Sequence, residues 1–223
     1  MRHDATRLKR IALAVLGLVA MLWLIHLVLA LMALDIAPAG VRPGTGVGLV
    51  GVITAPLVHA SWMHLFSNTL PLLVLGTTMF YGFPRAARRA LPVIWLVSGL
   101  AVWLLARESV HVGASGIAYG MMFFVLVAGI MRRDRASVAL VMLVFFLHGS
   151  MVLGVLPQAP GVSWEYHLAG AVVGGLCGAW WRFEDPMPEP RIFEYDDMPG
   201  EGDHDHELGE LWQEDPENDD WRH

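Results

Sequence analysis

Val112-Gly113-Ala114-Ser115-Gly116-Ile117-Ala118-Tyr119-Gly120 sets one serine between glycines where a polar stretch gives way to an apolar one. Arg107, Glu108, Ser109 and His111 precede it, and an apolar run through Phe123 and Phe124 to Met131 follows, which predicts a membrane helix with Ser115 on its first turn. First-turn N–H groups have no partner within their own helix and lie at the positive end of its dipole, so they can hold developing negative charge. The glycines let a backbone come close. The same pattern also serves as a plain small-residue packing surface, so the reading turns on what accompanies the serine.

Of the 223 residues 55% are apolar, and the mean hydropathy is +0.50. Several stretches reach the roughly 20 residues needed to cross a bilayer, which excludes an ordinary soluble domain. The expectation is an all-α polytopic membrane protein. A single cysteine, Cys177, excludes a disulfide framework within one chain and reads as packing. The net charge of −6 divides unevenly. Residues 184–223 hold 16 acidic residues against Arg191 and Arg222, a net of −14, whereas the rest carries 13 basic and 5 acidic residues, a net of +8.

Three segments follow: a basic cytoplasmic stretch 1–10, a membrane domain 11–183 and an acidic, proline-rich, disordered cytoplasmic tail 184–223. In the tail, Trp212 and Trp221 read as short contact points, and His204, Asp205, His206 and Glu207 as part of a solvated acidic run rather than a metal site. Within the membrane domain the spans run from about Ile11 to Leu34, Leu57 to Tyr81, Leu91 to Ala106, Ser115 to Met131, Ser137 to Val155 and Trp164 to Phe183. Six transmembrane helices are expected. Asp35 to Thr54, apolar but rich in Gly and Pro, reads as a loop lying in the interface. His26, inside the first span, reads as a satisfied or cavity-facing histidine.

Ten basic residues fall on one side of this arrangement, including Arg85, Arg88, Arg89, Arg132, Arg133 and Arg135, against Arg42 and Arg107 on the other. The positive-inside rule then puts both termini in the cytoplasm of a multi-pass cell membrane protein. Spans two, four and six run in the same direction, so His64, Asn68, Ser115 and His167 share one depth near the outer face. The fourth, 17 residues long, covers roughly 25 Å against a core of about 30 Å, so Ser115 is expected below the surface in a wet pocket.

A serine nucleophile needs a base. His167 is the candidate, because Gly170, Gly174 and Gly178 form a ridge at spacing four beside it, and Gly116 and Gly120 give the fourth span a matching surface. A packing seam with an incidental histidine fits the ridge as well. His64 and Asn68, four apart on one helix face, suit either an oxyanion hole with the Ser115 N–H or plain helix-to-helix hydrogen bonding. His59 supports the neighbouring loop.

Val58-His59-Ala60-Ser61-Trp62-Met63-His64-Leu65-Phe66-Ser67-Asn68, then Gly113-Ala114-Ser115-Gly116 with Tyr119, then His167-Leu168-Ala169-Gly170 with Gly174 together resemble the three signature segments of the rhomboid intramembrane serine proteases. The resemblance implies the six-helix rhomboid fold and a Ser115–His167 dyad. It further implies an oxyanion site of His64, Asn68 and the Ser115 N–H, with Tyr119 stacked on His167 and Gly113, Gly116 and Gly170 in support. The expected activity is endopeptidase cleavage of single-span membrane proteins near the outer face, with lateral entry between spans two and five. The first outer loop departs from the family in lacking a Trp-Arg pair. No cofactor, metal or nucleic-acid partner is expected, and the oligomeric state is left open. A zinc protease is disfavoured for want of H-E-x-x-H. A non-catalytic rhomboid-like membrane adaptor or a small-solute transporter stays as the alternative.

Overall fold

The computed structural model describes residues 2–157, 159 and 161–186. Seven α-helices occur among them: α1 Arg2–Leu31, α2 Gly46–Thr54, α3 Trp62–Gly82, α4 Pro84–Leu105, α5 Ser115–Arg132, α6 Arg135–His148 and α7 Trp164–Trp181. Short 3-10 turns cover Ala37–Ala39, Ala55–Leu57 and Gly149–Val155. Among the described residues the one extended pairing is a single antiparallel bridge between Val41 and His111.

Helix starts follow local chemistry. Ser61 accepts the His64 N–H at 3.1 Å to open α3, and Asp134 accepts the Ser137 N–H at 3.0 Å to open α6. Helix α5 ends on Arg133 in the left-handed conformation, φ 60°. It is also the central helix: 72% of its apolar window is buried, against 22% for α1, 28% for α4 and 17% for the segment 135–155. The lipid-facing sides of those outer helices are covered with exposed Leu, Val and Phe, as a bilayer solvent requires.

Two expectations need correction. The stretch Asp35 to Thr54 is not all loop, since α2 occupies its second half, capped by Thr45. Glycine lowers helix propensity by about 1 kcal/mol, but here it is what lets the helix dock: a Cβ on Gly48 would fall 2.0 Å from the Arg42 carbonyl oxygen, and one on Gly51 2.2 Å from that of Gly40. Second, α4 starts at Pro84 rather than near Leu91, because the Asp185 carboxylate accepts the N–H groups of Arg85 and Ala86 at 2.9 and 3.0 Å. This contact also means that Glu184, paired with Arg89 at 2.9 Å, and the buried Asp185 belong to the helical body and not to a disordered tail. The rest of the tail reading, including His204 to Glu207, Trp212 and Trp221, lies outside the described residues.

The expected fifth span is kept: α6 ends at His148 and continues as a 3-10 turn to Val155, and the segment 135–155 is long and apolar enough to cross a membrane. By length and apolarity, four helical segments among the described residues qualify to cross a membrane, or five if α2 with its following turn and α3, bent by 66°, count as one. The six-span reading adds α7, which falls short because Glu165, Tyr166, His167 and four glycines share its 18 residues. The chain is an all-helical, polytopic membrane protein.

Candidate active site

Ser115 is the first residue of α5 and is buried. Gly113, two residues earlier, has φ +106°, a backbone that side-chain-bearing residues rarely adopt, and the His64 ring stands 2.5 Å from where its Cβ would be. Its N–H donates to the Ala55 carbonyl at 2.9 Å. The next N–H, of Ala114, donates to His59 Nε2 at 3.4 Å, so the buried His59 supports the entry to α5. Two successive amides are therefore held from outside before the chain reaches the serine.

The serine meets His167 because α5 and α7 pack backbone to backbone. A Cβ on Gly170 would lie 2.0 Å from the Gly116 carbonyl oxygen, one on Gly174 2.0 Å from that of Gly120, and one on Gly178 2.7 Å from that of Phe124. Any larger residue there separates the helices. At this spacing Ser115 Oγ lies 3.0 Å from His167 Nε2, and His167 Nδ1 lies 2.9 Å from the Gly154 carbonyl oxygen. A carbonyl only accepts, so Nδ1 carries the proton and Nε2 is free to accept from the serine hydroxyl. The Tyr119 ring, one turn along α5 from Ser115, stacks on His167 with centroids 4.2 Å apart and planes 7° from parallel.

His64 and Asn68 both line the cavity of about 440 Å³ that contains Ser115 and His167. Among the described residues the buried Asn68 Nδ2 has no hydrogen-bond partner, nor has His59 Nδ1. All the sequence-named residues thus meet in one place: Ser115, His167, Tyr119, His64 and Asn68 around the cavity, with Gly113, Gly116 and Gly170 at its close contacts. His26 packs edge-on against Trp62 at 4.4 Å, and its Nδ1 has no hydrogen-bond partner among the described residues. Cys177 is buried in the core. Among the described residues no group of three or more His, Cys, Asp or Glu has a metal-holding arrangement.

Sequence reasoning missed the Gly154 carbonyl. Its only trace is the glycine itself, where a Cβ would collide with the Tyr119 hydroxyl. It also missed the partners of His111, whose Nδ1 lies 3.1 Å from Ser163 Oγ and whose Nε2 lies 3.2 Å from the Arg107 carbonyl. Burial holds the His111 ring below the ordinary histidine range, although the Arg107 carbonyl and Glu165 pull the other way.

An all-helical membrane protein with a serine and a histidine apposed on two glycine-sutured helices defines a narrow class. A family model described as the Rhomboid domain matches residues 47–183, and the chain belongs to the rhomboid family, whose members are in general intramembrane serine proteases. An uncharacterized protein of Mycobacterium bovis is 40% identical over 169 residues, 72% of this chain and 70% of its own length, and one of Mycobacterium tuberculosis gives the same figures. An uncharacterized protein of Mycobacterium leprae is 34% identical over 169 residues, 72% of this chain and 67% of its own.

Proposed function

We propose that this protein is an intramembrane serine endopeptidase that cleaves membrane-spanning segments through a Ser115–His167 dyad. The observation that carries the reading is the ordered series Gly154 carbonyl, His167, Ser115, with hydrogen bonds of 2.9 and 3.0 Å. Ser115 Oγ attacks the scissile carbonyl carbon while His167 Nε2 takes its proton. The tetrahedral oxyanion is held by the Ser115 N–H, Asn68 Nδ2 and His64. On collapse the C–N bond breaks, His167 returns the proton to the leaving amine, and water, deprotonated by His167, releases the acyl group from Ser115. Tyr119 and the Gly154 carbonyl hold the imidazole in plane and tautomer, a task that a carboxylate has in a triad.

The substrate class is single-span proteins whose helix opens easily near one end, with Gly, Pro or small residues there, since a helical peptide bond is shielded by its own hydrogen bonding. They enter laterally between α3 and α6. With α7 read as a sixth span, both termini fall on one side of the membrane, and the excess of basic residues there supports a cytoplasmic assignment with the cavity towards the outer face. The test is activity-based. A fluorophosphonate should label the detergent-solubilised protein, and Ser115→Ala should abolish both labelling and cleavage of a model span. Intact protein that takes no label and cleaves nothing would instead fit a membrane adaptor.

A further inference from the structure

A second serine borders the cavity that holds Ser115. Ser163 occupies the N-cap position of α7, where a serine ordinarily turns its hydroxyl onto first-turn N–H groups, yet it makes no such cap. Its Oγ faces His111 Nδ1 at 3.1 Å instead. His111 Nε2 must carry the proton, because its partner at 3.2 Å is the Arg107 carbonyl, so Nδ1 accepts and the Ser163 hydroxyl donates. The order carbonyl, imidazole, hydroxyl repeats that of Gly154, His167 and Ser115. The two pairs are also in register. His111 precedes Ser115 by four residues and Ser163 precedes His167 by four, with the residue types exchanged.

This second series is held rigidly. His111 is fully buried, and its backbone N–H and carbonyl each pair with Val41 at 2.9 Å. A hydroxyl whose proton is committed to a fixed imidazole offers its lone pairs elsewhere, and Ser163 lines the cavity together with Ser115 and His167. The other serines of that wall have local partners: Ser61 accepts the His64 N–H, and Ser67 donates to the His64 carbonyl. No Asp, Glu, Lys or Arg is among the described residues lining it. A peptide unwound to reach Ser115 brings backbone N–H groups that have lost their helical acceptors and need new ones.

We propose that Ser163 is a substrate-binding residue whose Oγ accepts a hydrogen bond from one backbone N–H of the extended substrate, with His111 as the positioning residue that fixes its direction. The proposal rests on the peptidase reading. Because the contact is to backbone, it selects a peptide that has left the helix and is indifferent to the side chain at that position.

The test is an ester scan. Model substrates, each with one amide near the scissile bond replaced by an ester, are cleaved by the full-length protein and by Ser163→Ala. One position should cost the wild type about 5- to 10-fold in kcat/KM, the scale of a single hydrogen bond, and cost Ser163→Ala less than twofold. On the all-amide substrate the loss in Ser163→Ala should fall on KM. Labelling of Ser115 by a small fluorophosphonate, which has no peptide N–H, reports separately on the dyad. Equal penalties in both proteins at every position, or labelling slowed as much as cleavage, would overturn the proposal and leave the peptidase reading intact. Wild type that neither labels nor cleaves would end both. Should Ser163→Ala not fold, His111→Gln serves: the sensitive position must lose its sensitivity when the imidazole is gone.

Discussion

The two ends of α5 are both rich in polar groups and are built on opposite principles. At the Arg132 end the groups answer one another. The buried Arg132 guanidinium donates to Asp134 at 3.0 Å and to the carbonyls of Asp185 and Pro186 at 3.3 and 3.4 Å, and it lies over the Phe83 ring. Asp185 in turn caps α4. At the Ser115 end the polar groups surround an open volume, and Asn68 Nδ2 and His59 Nδ1 are buried with no partner among the described residues. One end closes three helices into a unit. The other leaves polar groups facing a cavity rather than one another.

The contrast predicts that substitutions near Ser115 cost activity and those near Arg132 cost stability. Ser115→Ala and His167→Asn should each lower cleavage by about 10⁴-fold or more, with melting temperatures close to wild type. A large loss of stability in either would break the distinction. Gly174→Leu, midway along the seam, should cost both: the new side chain meets the Gly120 carbonyl, and overpacking of this kind costs about 3 kcal/mol or more. Unfolding in mixed micelles checks it.

Asp134→Ala removes the cap of α6 and the carboxylate facing a buried guanidinium, so about 2–4 kcal/mol of stability should be lost while turnover per folded molecule is kept. Burial alone would raise the Asp134 pKa, but hydrogen bonds from Ser137 and Arg132 outweigh it and hold the carboxyl below its ordinary value. A group depressed in the fold stabilises above its unfolded pKa. The contribution is therefore present above about pH 4 and is lost as acid titrates it, a loss that Asp134→Ala should not show. Tyr119→Leu, which keeps bulk but loses the stacked ring, should lower kcat about 10-fold, as a mispositioned base does. The smallest effect belongs to His111, which burial keeps neutral. Its contribution to stability is present above its unfolded pKa of about 6.5 and falls away on acidification, when a proton must enter beside Arg107. His111→Gln should give a shallower acid limb in melting temperature against pH.

Much of this was legible beforehand, for identifiable reasons. The starts of α5 and α7 could be read because polar residues abut apolar runs at Ser115 and Trp164, and the seam because glycines recur every four residues. The true start of α4 could not be read. Arg85, Arg88 and Arg89 look like a loop, and their helical state depends on a carboxylate about one hundred positions away. Helix α2 was hidden by the very glycines that let it dock. The orientation of His167 comes from a backbone carbonyl, and every residue has one, so no residue type announces it. His111 and Ser163 are ordinary loop residues until the fold brings them together.

The sutured seam has a mechanical consequence. With no side chains between them at Gly170 and Gly174, α5 and α7 have no compressible layer to absorb a displacement, so hydroxyl and imidazole travel as parts of a single stiff girder. A displacement of the outer segment 135–155, whose apolar stretch is only 17% buried, would leave that girder, and the pair of side chains it carries, in place.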